Sequence, residues 1–208
     1  MKDPVSKYFN SLPQAQKDKL YRLEQLYKSW NNKINLVSRK DIDNFVLHHV
    51  IHSLSISLIT GFSPGTKILD AGTGGGFPGV PLAVIFPGLS FTLADSVGKK
   101  INALEDIREK TALHNVEAVW TRVEDINDRY DFVVSRAVAP FPELVKWTGS
   151  KILRKSRNSL PNGIIALKGG DLSKELAGFS NYKIWELKDY FEEEYFKEKK
   201  IVYMPIHS

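Results

Sequence analysis

The chain has 208 residues, of which 42% are apolar and 25% charged, and a formal net charge of +5. That length can bury a full core as one domain, or as one domain with an appendage. The absence of cysteine excludes disulfides, thiolate metal ligands and thiol nucleophiles. No apolar run approaches the roughly 18 residues of a membrane span, and Met1-Lys2-Asp3-Pro4 opens without a signal-like apolar stretch. A cytoplasmic protein with no membrane partner is therefore expected. The basic excess leans toward a polyanionic partner without establishing one.

The first sixty residues read as helical. Ser11 and Gln14 have capping-box spacing, with Pro13 in the first turn. Leu20, Leu23, Leu26, Tyr27, Trp30 and Ile34 then recur on one helical face. A second helix is expected from Asp41 to about Thr60, stopped by Gly61. Residues 1–62 thus form a helical extension packed on a core of residues 63–208. After Gly65 short apolar runs at Lys67–Ala71, Ser90–Asp95, Glu117–Thr121, Asp131–Ser135 and Gly163–Lys168 read as strands. Helical stretches near Gly79–Phe86, Val97–Leu113 and Pro142–Arg154 lie between them. That alternation implies an α/β fold with a parallel sheet and right-handed crossovers. Tyr182–Leu187 and Lys199–Ile206 read as a terminal antiparallel hairpin joined by the acidic stretch around Glu192–Glu194.

Residues 68–79, Ile-Leu-Asp-Ala-Gly-Thr-Gly-Gly-Gly-Phe-Pro-Gly, close the first of these strands with Asp70 and open into a glycine loop. So many glycines at the carboxyl end of a strand let a ligand lie against bare backbone. Two registers compete. Gly74, Gly76 and Gly79 match a dinucleotide fingerprint, whereas Gly72, Gly74 and Gly76 match acid-x-G-x-G-x-G. The second puts its first glycine at the tight turn, and Phe77 sets an apolar ring where a phosphate would approach. It favours a nucleoside without phosphates, with S-adenosylmethionine the leading candidate and a nicotinamide dinucleotide the weakest. Asp95 ends the second strand about twenty residues on, where a carboxylate receives ribose hydroxyls; capping the next helix is its competing role. Val123 and Glu124 follow the third strand, either beside an adenine edge or in a solvated turn. Arg136 ends the fourth, placed to bind donor, base or phosphate, or to pair with Glu143. Lys168 ends the fifth, facing RNA phosphate or a carboxylate. Lys146, Lys151, Arg154, Lys155 and Arg157, with Arg39, Lys40, Lys99 and Lys100, make a candidate basic rim. His48 and His52 have metal-ligand spacing, but no third ligand accompanies them, and no metal is expected.

The ordered segments Trp30-Asn-Asn-Lys-Ile-Asn35-Leu-Val-Ser, Asp70 to Gly79, Asp95-Ser-Val-Gly-Lys-Lys100, Arg122-Val-Glu124, Val134-Ser-Arg136-Ala-Val-Ala139 and Ala166-Leu-Lys168-Gly169 span nearly the whole chain. Together the sequence resembles the ribosomal RNA small subunit methyltransferase G family, also known as glucose-inhibited division protein B. The resemblance implies a class I S-adenosylmethionine-dependent methyltransferase fold. Its Rossmann-like sheet would be mostly parallel with an antiparallel C-terminal hairpin strand, preceded by the helical extension. It implies S-adenosylmethionine as donor and N7 of a guanine in small-subunit (16S) ribosomal RNA, naked or in an assembling subunit, as target. Carried over by motif, Gly72, Phe77, Val123, Glu124 and Arg136 fall on donor-binding positions and Asp95 on the acid after the second strand. Arg39, Lys100 and Lys168 are the candidate RNA contacts, and a monomer is expected. The family's Arg-His-x-x-Asp-Ser motif reads His48-His-Val-Ile-His52-Ser53 here, so His52 replaces a carboxylate. Guanine N7 carries a free lone pair, so no general base is nominated. A small-molecule methyltransferase and a non-catalytic ribosome assembly factor are the alternatives.

Overall fold

The computed structural model describes residues 3–207. A seven-stranded sheet in the order β3-β2-β1-β4-β5-β7-β6 forms its centre. The strands are β1 Lys67–Ala71, β2 Ser90–Asp95, β3 Val116–Trp120, β4 Phe132–Arg136, β5 Gly163–Gly169, β6 Lys183–Glu186 and β7 Lys199–Pro205. β1 to β5 are parallel; β7 runs antiparallel to both β5 and β6. Strand direction of growth reverses at β1, which lies between β2 and β4. In open α/β sheets the crevice at that switch point, beyond the carboxyl ends of the strands, is where ligands bind.

Alternation along each strand feeds two separate cores. Ile68, Phe91, Leu93, Phe132, Val134, Ile165, Leu167, Ile201 and Tyr203 face one side. Leu69, Ala94, Val133, Ile164, Ala166, Val202 and Met204 face the other, under α6 Phe141–Thr148 and α7 Ser173–Leu176. The first face carries α4 Gly79–Ile85 and α5 Gly98–Lys110. Every residue of α4 is buried, as expected for a helix that is apolar all round. The sheet covers one flank of it and the N-terminal extension covers the other.

That extension departs most from expectation. A short helix, α1 Pro4–Tyr8, precedes the expected one and is capped by Asp3, whose Oδ1 accepts from the amides of Val5 (2.9 Å) and Ser6 (3.2 Å). Asp followed by Pro at the first helical position is a readable start signal. The main helix, α2 Gln14–Asn31, has Pro13 rather than Ser11 at its cap, and Gln14 bonds forward to Asp18 at 2.8 Å. Proline disfavours helical backbone at the preceding Leu12, which removes Ser11 from capping range. The expected second helix is a chain of unlike turns. It runs as a 3₁₀ turn Ile42–Asn44, a π-helical stretch Val46–Ile51, α3 His52–Leu54 and a 3₁₀ turn Ser55–Leu58. Hydroxyls of Ser53, Ser55 and Ser57 donate to the carbonyls of His49 (2.6 Å), His52 (2.6 Å) and Leu54 (2.8 Å). Such back-bonding competes with the amide ladder and bends helices. α6 likewise stops at Thr148, short of Arg154, passing into a 3₁₀ turn Gly149–Lys151.

The acidic stretch before β7 binds the extension. Lys7 Nζ pairs with Glu192 (2.9 Å) and Glu193 (3.0 Å), and the Tyr8 hydroxyl donates to Glu193 at 2.7 Å.

Candidate functional site

Gly72, Gly74 and Gly76 have φ of 63°, 58° and 89°. These left-handed values fall on the three glycines of the acid-x-G-x-G-x-G register. A Cβ on Gly72 would lie 2.1 Å from Val138 Cγ2. Gly79 has a different reason to be glycine: a Cβ there would lie 2.2 Å from Leu93 Cδ2, in the seam between α4 and β2.

Asp70 closes the loop from below. Its Oδ2 accepts from Thr73 Oγ1 (2.7 Å) and from the amide of Gly79 (2.8 Å). That amide is the first of α4, the group to which a pyrophosphate would be directed, and a carboxylate already occupies it. The sequence expectation placed Phe77 in the phosphate path. Phe77 instead turns beneath the loop, 2% exposed, against Tyr27, Phe45 and His49 at ring separations of 5.0, 5.8 and 5.0 Å. The obstacle to phosphate is Asp70.

Beyond the loop lies a cleft of about 200 Å³ lined by Gly72, Asp95, Ser96, Val123, Glu124 and Val138, with Thr121, Arg122 and Trp147 completing its wall. Four of the six expected donor-binding residues therefore meet there. Asp95 is 8% exposed. Its Oδ2 accepts from the Gly74 amide at 2.8 Å and its Oδ1 from the Val97 amide at 2.9 Å. It therefore ties the loop to the turn before α5 rather than capping the helix itself, whose cap is Val97. A carboxylate has about four acceptor sites, so each oxygen keeps capacity for one hydroxyl of a ribose. A bare glycine backbone, a carboxylate with two free acceptor positions and the buried Val123 fit the nucleoside end of S-adenosylmethionine. Nothing in that set asks for phosphate.

Lys151 was expected on a basic rim, but its chain is buried. Its ammonium donates to the carbonyls of Glu124 (3.0 Å) and Ile126 (2.6 Å), fixing the 3₁₀ turn Val123–Asp125 that walls the cleft. The rim divides further. Arg157 bonds the Gly65 carbonyl and Asp131 (3.3 Å) at the amino ends of the strands, away from the cleft. Of the two roles expected for Lys168, the structure shows the carboxylate: its ammonium donates to the Ala139 carbonyl (2.7 Å) and pairs with Glu175 (2.8 Å). Burial at 9% side-chain exposure makes that pair the cheaper state for its charge. Arg39 and Lys99 are exposed, and Lys100 Nζ stands 3.8 Å from Asp95.

Arg136 lies on the extension side of the sheet rather than in the cleft wall. Its guanidinium donates to the His48 carbonyl (3.1 Å), approaches His49 Nδ1 (2.7 Å) and sits 4.7 Å over the Phe77 ring. Glu143, the alternative partner considered for Arg136, is not among these contacts. Around it His48 stacks on Tyr195 at 3.8 Å and reaches Asp41 (3.1 Å), while His52 Nδ1 contacts the Tyr195 hydroxyl (3.1 Å). Burial and the Arg136 charge lower the pKa of His49 to about 3, and burial lowers that of His52 well below the ordinary value. Both rings are neutral at physiological pH. Among the described residues no group of His, Asp and Glu is arranged to hold a metal ion.

The family model described as rRNA small subunit methyltransferase G matches residues 16–200. Proteins named "Ribosomal RNA small subunit methyltransferase G" from Christiangramia forsetii and Porphyromonas gingivalis are 52% and 49% identical. They cover 97% of this chain in both cases, and 96% and 92% of their own lengths. Solved structures share the fold at low identity. A SAM-dependent O-methyltransferase from Thermotoga maritima has a TM-score of 0.58 at 13% identity over 80% of this chain and 70% of its own. A SAM-dependent methyltransferase from Aquifex aeolicus has 0.56 at 16% identity, over 77% and 92%.

Proposed function

The chain belongs to the rRNA small subunit methyltransferase G family, and from that membership we propose that it transfers a methyl group from S-adenosylmethionine to N7 of a guanine in small-subunit (16S) ribosomal RNA. It acts in the cytoplasm, as a monomer, on the RNA or on an assembling subunit. The cleft at the β1 switch point carries this reading: it holds a nucleoside and rejects a pyrophosphate, because Asp70 fills the phosphate position at α4.

When bound, the donor supplies an electrophilic methyl on a sulfonium, and the N7 lone pair forms the new bond as sulfur keeps the old pair. Guanine N7 carries no proton, so the protein need not remove one. Its task is proximity, alignment and exclusion of water. Asp95 would receive the ribose hydroxyls and Val123 and Glu124 would bound the adenine, on a turn that Lys151 holds. Gly72 and Val138 would line the nucleoside's side of the loop. Arg136 stands outside the cleft on the extension side, with two of its five N–H groups fixed by His48 and His49.

The test is incubation with methyl-labelled donor and small-subunit RNA from cells lacking the gene, naked and assembled, followed by nuclease digestion and mass analysis. N7-methylguanosine in the RNA is expected. Label confined to another base, or to no RNA at all, rejects the assignment.

A further inference from the structure

Trp120 ends β3 at the outer edge of the sheet and is 71% exposed. An indole left that open forfeits most of its hydrophobic gain. It is nonetheless held in one orientation. Its Nε1 donates to the Ser96 carbonyl at 3.0 Å, and a Cβ on Gly98 would lie 3.0 Å from Cδ2 and Cε2, so one side of the ring rests on bare backbone. The rest of the ring faces solvent. Its neighbours tie it to the cleft. The Thr121 amide donates to the Asp95 carbonyl at 3.2 Å, and Ser96, Thr121 and Arg122 belong to the cleft wall. Lys99, next in the chain to Gly98, and Arg122, two residues after the tryptophan, are exposed cations.

A fixed, exposed aromatic face with exposed cations on the adjoining segments is the chemistry that holds an unpaired nucleotide: the base stacks and the phosphates pair. We propose that Trp120 is a stacking platform for an unpaired base of the RNA substrate, with Lys99 and Arg122 available to the adjoining phosphates. This rests on the RNA-methylating reading above. It assigns a function to a residue that the donor site does not use, at the edge strand beside the cleft.

Wild type, Trp120→Ala and Trp120→Phe should be compared on small ribosomal subunits from cells lacking the gene. The KM for the particle is expected to rise about tenfold in Trp120→Ala, the loss of one stacked base. Trp120→Phe should stay within about threefold, and the donor KM should be unchanged in both. Thermal unfolding midpoints within about 3 °C of wild type show that the effect is not loss of fold. A particle KM unchanged in Trp120→Ala, or an equal rise in the donor KM, overturns the platform. So does a change in oligomeric state that accounts for the loss, which would make the ring a contact between copies. Binding of a fluorescent single-stranded oligoriboadenylate reads the platform without turnover. There too a roughly tenfold weakening is expected for Trp120→Ala, and equal affinity overturns the idea. A wild type that binds the oligonucleotide through Trp120 but methylates no RNA would reject the proposed reaction while leaving the platform standing.

Discussion

Asp70 carries its carboxyl group into the buried centre of the molecule, and desolvation pushes its pKa up to about 7, with the Thr73 and Gly79 hydrogen bonds and the Arg136 charge opposing. Folding therefore favours the protonated form. The stabilisation is complete below the ordinary carboxylate value and is lost as pH rises through about 7. Asp70→Asn keeps an acceptor for Thr73 and Gly79 but cannot ionise. In the absence of donor, the gap between its denaturation midpoint and that of wild type should shift in favour of the variant from pH 4 to pH 8; a constant gap would show that Asp70 ionises freely. Lys151 presents a different case. Lys151→Met leaves the Glu124 and Ile126 carbonyls without their donor, at a cost of about 1–2 kcal/mol for part-buried acceptors. It should also weaken donor binding, measured by calorimetry, although no atom of Lys151 lines the cleft. Gly72→Ala should weaken donor binding more than tenfold. It combines a left-handed φ with collision against Val138, and Val138→Ala in the same chain should recover only the steric part.

Among the elements, the parallel strands were legible because their apolar runs are short, β-rich and bounded by turn residues; β1 and β2 match the expected limits residue for residue. The segment between Ile42 and Leu58 was not. Its apolar spacing says helix, and only the serine back-bonds decide which carbonyl each turn closes on. The donor cleft was equally uneven. Gly72, Asp95, Val123 and Glu124 sit at strand ends, where position in the pattern implies position in space. Lys151 comes from a distant turn and looks in sequence like any surface cation. Arg157 was misplaced for the same reason: a charge run does not show which members find carboxylates. The π-helical stretch and α3 after it also set a pH response. His49 and His52 are neutral when folded and must gain protons on unfolding below their ordinary value. The contribution of these two rings is thus complete above about pH 6.5 and declines as pH falls below it. Denaturation of wild type should show that slope, and His52→Phe should lose part of it.

At the scale of the whole molecule, the extension and the sheet share one hydrophobic core running from Val5 to Tyr203. Trp30 Nε1 reaches Asp106 on α5 at 2.7 Å, and Gln16 reaches the Ile85 carbonyl at 3.2 Å. Residues 1–62 are therefore expected to unfold together with the remainder in one transition, coincident by circular dichroism and tryptophan fluorescence. A core lacking them would bare α4 and should not fold on its own. The Tyr27 hydroxyl donates to the Gly75 carbonyl within the glycine loop, and Leu36 lies so close to Gly75 that no side chain fits between. Exchange between relatives is limited accordingly: a chimera with one member's extension on another's sheet inherits a loop shaped for a different tyrosine, and its donor affinity should reveal the mismatch before its secondary structure does.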